Sequence, residues 1–255
     1  LAPRLQHFHD RGLPVDALGV GIEPLASPEA REIFARAFRP IRSWTVRSAR
    51  CRAVLLDLGV APERVAVSAD WAWLHRPSRD RRDWARTTWA ANGVDPDRPL
   101  LVANVVNMLW RGAEAARDAI AGDLDVAARR HGLQVGFLCN ECRDGDFFDF
   151  DAARDIARRL QTPSVILPND YYAADEAIAL LTHAAVTVGQ RYHFVVESVL
   201  AGTVPVSIPR GAKQQGLAEE LGIPSAGSVV AMPRGTLAAA IDDALARRDT
   251  LLGHL

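Results

Sequence analysis

The chain contains a single lysine. Its 30 basic residues are 29 arginines and Lys213, so positive charge is carried almost wholly by guanidinium groups. Acidic residues number 31, and the formal net charge is −1. A general nucleic-acid binder needs a basic excess that is missing here, so no nucleic-acid partner is expected. Cysteine is scarce as well: three residues, an odd number, fit a reducing compartment rather than a disulfide framework. No apolar run reaches the ~18 residues of a membrane span, and no signal-peptide pattern opens the sequence. A cytoplasmic location is expected. The first residue is Leu1 rather than Met, so the start shown need not be the native one.

Several motifs are missing too. There is no GxxxxGK[ST] phosphate loop, and GVGIEP lacks the third glycine of a dinucleotide fingerprint. GxSxG and HExxH are absent. Asp144, Asp146, Asp149 and Asp151 superficially suggest a calcium loop, but the glycine and terminal glutamate of an EF-hand are missing. That run reads instead as an acidic helix start, favourable beside the helix dipole. Cys139 and Cys142 form a CxxC with no second ligand pair for zinc. A redox role is conceivable for them, and packing at a strand end is the plainer reading. No metal and no cofactor are expected.

The sequence does hold a packed α/β chain. Hydrophobic residues make up 49% of 255, enough for one large domain or two ordinary ones. Short apolar runs alternate with helical stretches, which predicts parallel sheets with helices on their faces. In the first third, strands are expected within 13–25, at 41–46 and at 64–68. A helix begins at Ser27-Pro28 and another spans 49–58. Gly19 and Gly21 would let the backbone come close to a neighbour or ligand. The charged, proline-bearing stretch 75–82 reads as a linker. Beyond it, strands are expected at 98–104, 133–138, 164–167, 186–188, 204–208 and 228–231, with helices between them and a last helix at 234–247. Two Rossmann-like doubly wound units result: residues 1–78, which look incomplete, and residues 79–255, which carry the donor site. This pairing resembles the glycosyltransferase-B architecture, GT-B.

The stretch from Ala185 to Gly216 concentrates the chemistry. It reads as a buried strand, a tight turn at Gly189-Gln190, a helix, a second buried strand and a basic turn into another helix. Ligands of doubly wound sheets sit beyond the carboxyl ends of the strands. Arg191 and His193 stand at one such end, Lys213 at the next, and Arg47 ends a strand of the first unit. Arginine grips phosphate or carboxylate through a bidentate fork, histidine moves protons near neutral pH, and lysine supplies a compact point charge. Together they suit a small anion bearing phosphate and carboxylate. Plainer roles exist for each: a salt bridge for Arg47, a helix cap for His193, a surface position for Lys213.

These residues resemble the polysaccharide pyruvyl transferase family. The likeness runs through GVGIEPL, TVRS followed by LLDLGV, VAVSADWAW, VGQRYH, AGTVPVSI and GAKQQGLAEELG. The Arg191-x-His193 element and Lys213 are its most specific parts. Two features depart from the family pattern. The glycine-rich opening with its upstream turn is missing, as in a trimmed chain, and Glu23 stands where glycine is common. The resemblance implies phosphoenolpyruvate as donor and a glycan or lipid-linked sugar as acceptor, with peripheral contact where the acceptor is membrane-bound. His193 and Arg191 would be catalytic, Arg47 and Lys213 would hold the donor, and Asp70 would accept a hydroxyl proton or play a structural part. Three rivals remain. The first is a GT-B glycosyltransferase with a nucleotide-sugar donor, for which Glu176 or Glu197 could read the ribose. The second is a non-catalytic anion-binding member of the family. The third is a different chemistry on the same scaffold, such as tailoring of a secondary metabolite.

Overall fold

The computed structural model describes residues 2–108, 112–142 and 148–255. The chain divides into two compact units, Leu1–Leu74 and His75–Leu255. The division falls just ahead of the stretch expected to be a linker. His75 Nε2 lies 3.0 Å from Asp175 Oδ1, and the Ser78 amide donates to the same oxygen at 3.0 Å. These bonds fasten the stretch to the second unit.

The first unit contains α1 (Ala2–Asp10), β1 (Val15–Val20), α2 (Pro28–Phe38), β2 (Ile41–Val46), α3 (Ala49–Asp57) and β3 (Val65–Val67). The strands pair in parallel in the order β1-β2-β3. Helix α2 starts where the sequence predicts, with Ser27 Oγ accepting from the Ala30 amide at 3.1 Å and Pro28 at its first position. Ser48 caps α3 in the same way through the Cys51 amide. Both caps satisfy a donor that has no partner within the helix. Phe34, Trp44, Val46 and Leu55 form the core.

The second unit contains α4 (Arg82–Ala91), β4 (Leu100–Asn104), α5 (Ala113–His131), β5 (Gln134–Phe137), α6 (Asp149–Arg159), β6 (Ser164–Ile166) and α7 (Ala174–Leu181). It continues with β7 (Ala184–Gly189), α8 (Tyr192–Leu200), β8 (Pro205–Ser207), α9 (Ala212–Leu221), α10 (Thr236–Ala246) and α11 (Arg248–His254). Its parallel sheet runs β6-β5-β4-β7-β8. Strand order therefore reverses between β4 and β7, which is where doubly wound sheets open a crevice. Every residue of β4 is buried, as expected of a central strand covered by helices on both faces. Leu101, Ala103, Val186 and Val188 pack on one face, and Leu100, Val102 and Phe194 on the other.

Two buried aspartates fasten helices to this core. Asp123 on α5 accepts from the Gly235, Leu237 and Ala238 amides and so caps α10 from outside. Asp125 accepts from the Gln161 and Thr162 amides. The strand expected at 228–231 is instead a 3-10 turn over Val229–Ala231. In its place Ser225 makes an isolated parallel bridge to Ser207.

Candidate functional site

The carboxyl ends of β4 and β7 are tied together before any ligand is considered. The Gln190 amide donates to the Asn104 carbonyl at 3.1 Å. Gln190 is fully buried, and its Oε1 accepts from the Val106 amide at 2.6 Å. Gln214 Nε2 donates to the Gln190 carbonyl at 2.6 Å, which draws α9 toward the same turn. Gly189 is packed so closely that a Cβ would lie 2.7 Å from Phe194 Cδ1. The turn that presents Arg191 is therefore held from three sides.

Asp149, the first residue of α6, is the hub. It has no solvent exposure. Its Oδ1 accepts from Arg191 Nη2 at 2.6 Å and from Arg191 Nε at 3.0 Å. Its Oδ2 accepts from Asn104 Nδ2 at 3.0 Å and from the Asn140 and Glu141 amides at 3.1 and 3.2 Å. One carboxylate thus joins the end of β4, the loop after β5, the start of α6 and the turn before α8. A buried carboxylate is tolerated only when paired and hydrogen-bonded in this manner. In the acidic run read as a helix start, Asp149 and Asp151 do lie in the first turn of α6. Asp144 and Asp146 fall outside the described residues.

Around this hub lies a cleft of about 520 Å³, with Arg191, His193, Glu197, Arg210, Lys213 and Tyr172 among its lining residues. Arg191, His193 and Lys213 do meet in one place. Arg191 is the residue before α8, and His193 and Glu197 follow one helical turn apart on the face of that helix. His193 is exposed, and its ring stands edge-on to Tyr192 at 5.4 Å. Lys213, in the first turn of α9, places Nζ 4.8 Å from the Tyr192 ring centroid, a cation–π contact that holds a flexible side chain near the cleft. Burial, and then the like charge of Arg191, lower the pKa of Arg210.

Glu197 receives a hydrogen bond from Asn140 Nδ2 at 2.8 Å. Burial pushes its carboxyl up from 4.5 to about 7, opposed by the Asn140 bond and by the His75 charge. Glu176, the other acid considered for a ribose, instead accepts from Arg81 and from the Ala173 amide at the start of α7. The two CxxC thiols also line the cleft. Burial, followed by the Asp149 charge, raises Cys139 to about 12 and raises Cys142. Thiols so disposed are poor nucleophiles at neutral pH.

Arg47 and Asp70 belong to the first unit and form an ion pair there. Arg47 Nη1 lies 3.0 Å from Asp70 Oδ2, with side chains 9% and 12% exposed. Asp70 Oδ1 also accepts from the Ala72 amide at 3.0 Å. The predicted close approach at the glycines is present. A Cβ on Gly21 would meet the Arg47 guanidinium at 2.2 Å, and one on Gly19, at φ +63°, would meet Trp71 at 2.2 Å. The salt-bridge role foreseen for Arg47 is the one it occupies.

Asn104, Gln190 and Asp149 were given no part in the site from sequence. The one available signal was a polar residue closing an otherwise apolar strand, LLVAN. Among the described residues no group of three or more His, Cys, Asp or Glu side chains could hold a metal ion. No helix among them is long and apolar enough to cross a membrane.

No protein-family model matches the chain, and no curated protein matches its sequence. Solved structures do match. HepE of Anabaena, crystallised with UDP and glucose, is 14% identical over 98% of this chain and 67% of its own, with a TM-score of 0.63. UDP-GlcNAc 2-epimerase of Methanocaldococcus jannaschii is 12% identical over 94% of this chain and 66% of its own, with a TM-score of 0.66. A glycosyltransferase of Rickettsia africae is 9% identical over 97% and 71%, with a TM-score of 0.63. The chain thus spans about two thirds of the length of these proteins. At such identities the likeness establishes the fold alone: two Rossmann-like units of the GT-B class.

Proposed function

We propose that this chain is a carbohydrate-modifying transferase whose second unit binds a phosphate-bearing donor, with a nucleotide sugar as the best-supported donor class. The observation that carries the reading is the cleft at the β4/β7 switch point, which Arg191, Arg210 and Lys213 line together with Glu197. Cations suit a diphosphate, and a carboxyl suits a sugar diol. A volume of about 520 Å³ lies within the ~300–1,000 Å³ of pockets that enclose drug-sized ligands. Fold neighbours whose structures hold UDP or UDP-glucose support the same donor class.

A second reading is favoured by a separate observation. Arg191, His193 and Lys213, the most specific parts of the pyruvyl transferase resemblance, line this one cleft. In that chemistry His193 would protonate the enol methylene of phosphoenolpyruvate, and a sugar hydroxyl would attack the carbon bearing phosphate. Inorganic phosphate would leave, and a second hydroxyl would close the cyclic ketal. Arg191, Arg210 and Lys213 would hold phosphate and carboxylate.

Calorimetry with UDP-glucose and with phosphoenolpyruvate separates the two. Saturable binding of UDP-glucose, lost in Lys213→Ala, supports the first reading. Binding of phosphoenolpyruvate alone, lost in the same variant, transfers the assignment to pyruvyl transfer. Binding of neither refutes both donors.

A further inference from the structure

We propose that Asp149 is the positioning residue of this cleft: its buried carboxylate sets the plane of the Arg191 guanidinium and, through Asn140, the place of Glu197. The inference starts from which edge of Arg191 is used. Asp149 takes Nε and Nη2, the side-on edge of the fork. The arginine side chain is 31% exposed and lines the cleft. Its Nη1 edge has no partner among the described residues and remains available to an anion. A guanidinium anchored on one edge is pre-organised, so less rotamer freedom is lost when a ligand engages the other.

The second half of the network runs through Asn140. Its amide N–H donates to Asp149 Oδ2, and its side-chain Nδ2 donates to Glu197 Oε2 at 2.8 Å. Arg191 and Glu197 therefore share one fixed point. Comparison with the other buried aspartates separates this from plain helix capping. Asp123 and Asp125 are 3% and 4% exposed; Asp123 accepts from backbone amides, and Asp125 from the Gln161 and Thr162 amides and the Thr162 side chain, none of them a residue of the cleft. Asp149 binds the side chain of one cleft residue, Arg191, and the backbone amides of two more, Asn140 and Glu141. It carries no reacting group to the ligand and acts only through these residues.

The test reads Arg191 directly. In side-chain 1H–15N spectra of the wild type, the Arg191 Nε–H should exchange slowly compared with that of exposed Arg36. Asp149→Asn should abolish that protection, and Asp123→Asn, which loosens a helix cap elsewhere, should leave it intact. The affinity arm rests on the donor-binding reading and uses UDP-glucose and phosphoenolpyruvate as probes. Whichever binds the wild type should bind Asp149→Asn about tenfold or more weakly, the scale of a misdirected charged hydrogen bond, and Asp123→Asn unchanged. Should Asp149→Asn fail to fold, Arg191→Lys keeps the charge without the two-point grip and should show the same loss. Wild-type exchange as fast as that of Arg36, or undiminished affinity in Asp149→Asn or Arg191→Lys, overturns the proposal. If the wild type binds neither probe, the donor reading fails and the exchange of Arg191 alone decides the role of Asp149.

Discussion

Replacing Glu197 with glutamine should make the second unit more stable at alkaline pH and leave it nearly unchanged at acid pH. Burial in the cleft wall raises the Glu197 carboxyl from 4.5 to about 7. Between those values the native protein holds a proton that the unfolded chain has released. Stability therefore falls as pH rises from 4.5 to 7, and the whole penalty is present above 7. At ~1.4 kcal/mol per pH unit, the interval from 4.5 to about 7 sets a ceiling near 3 kcal/mol. Water at the open side of the cleft reduces this to about 1–3 kcal/mol. Glutamine keeps the acceptor for Asn140 Nδ2 and cannot ionise. Urea unfolding of both proteins from pH 4.5 to 8, followed by far-ultraviolet circular dichroism, isolates the difference because all other titrations cancel. The variant's advantage should grow across this range and level off near pH 8. A difference that stays flat with pH would show that Glu197 titrates as an ordinary surface acid.

The other expectations concern the walls of the same crevice. Phe194 is fully buried beneath the turn that carries Arg191; Phe194→Ala should cost about 3–5 kcal/mol in the second unit by thermal or urea denaturation. A cost below that of a surface substitution would place the ring outside the core. Cys139, raised from 9.0 to about 12, should hold a ~1,000-fold lower thiolate fraction at neutral pH than in the unfolded chain. Iodoacetamide labelling read by mass spectrometry should be correspondingly slow, and rapid labelling of the native protein would contradict its burial. Lys213→Arg keeps the charge and the Tyr192 contact but replaces a point charge with a planar fork. It should weaken binding of the donor by about tenfold, whereas equal affinity in calorimetry would show that charge alone is read.

The elements were legible where local chemistry punctuates them. Helix α5 begins after Gly112 and ends at Gly132, which has φ +63°, and both glycines are visible in the sequence as stop and start signals. Helices α8 and α9 are bounded by turns that contain Gly189, Gly202, Gly211 and Gly222, and they fall where helices are expected, after the strands at 186–188 and 204–208. The stretch 228–231 misled because a run of four residues is too short for a period to distinguish strand from turn. In the fold Val229 is buried and Val230 is 61% exposed, an alternation that a single 3-10 turn also produces. The hub of the cleft was harder still. Nothing local separates Asp149 from Asp151, two residues on. What buries Asp149 is the arrival of Asn104 and Arg191, each more than 40 positions away.

The two strand-end arginines show why pairing with a carboxylate does not by itself remove a residue from function. Arg47 is engaged by Asp70 through Nη1, the outer end of its fork, and only 9% of its side chain remains exposed. It also lies against Gly21, where even a Cβ would collide with the guanidinium. An arginine enclosed in that way braces the turn after β1 and has little surface left to offer. Arg191 is engaged through Nε and Nη2, with 31% of its side chain still exposed. The same ion pair is thus used in opposite senses. In the first unit it fills a space inside the fold; in the second it aims the remaining edge of the guanidinium into a cleft shared with Arg210 and Lys213. Sequence supplies the residue types for both, since each is an arginine just beyond a parallel strand. The distinction lies in how much of each guanidinium the fold leaves exposed, 9% of the Arg47 side chain against 31% of Arg191, and that is set by the tertiary packing around each turn rather than by the residue type.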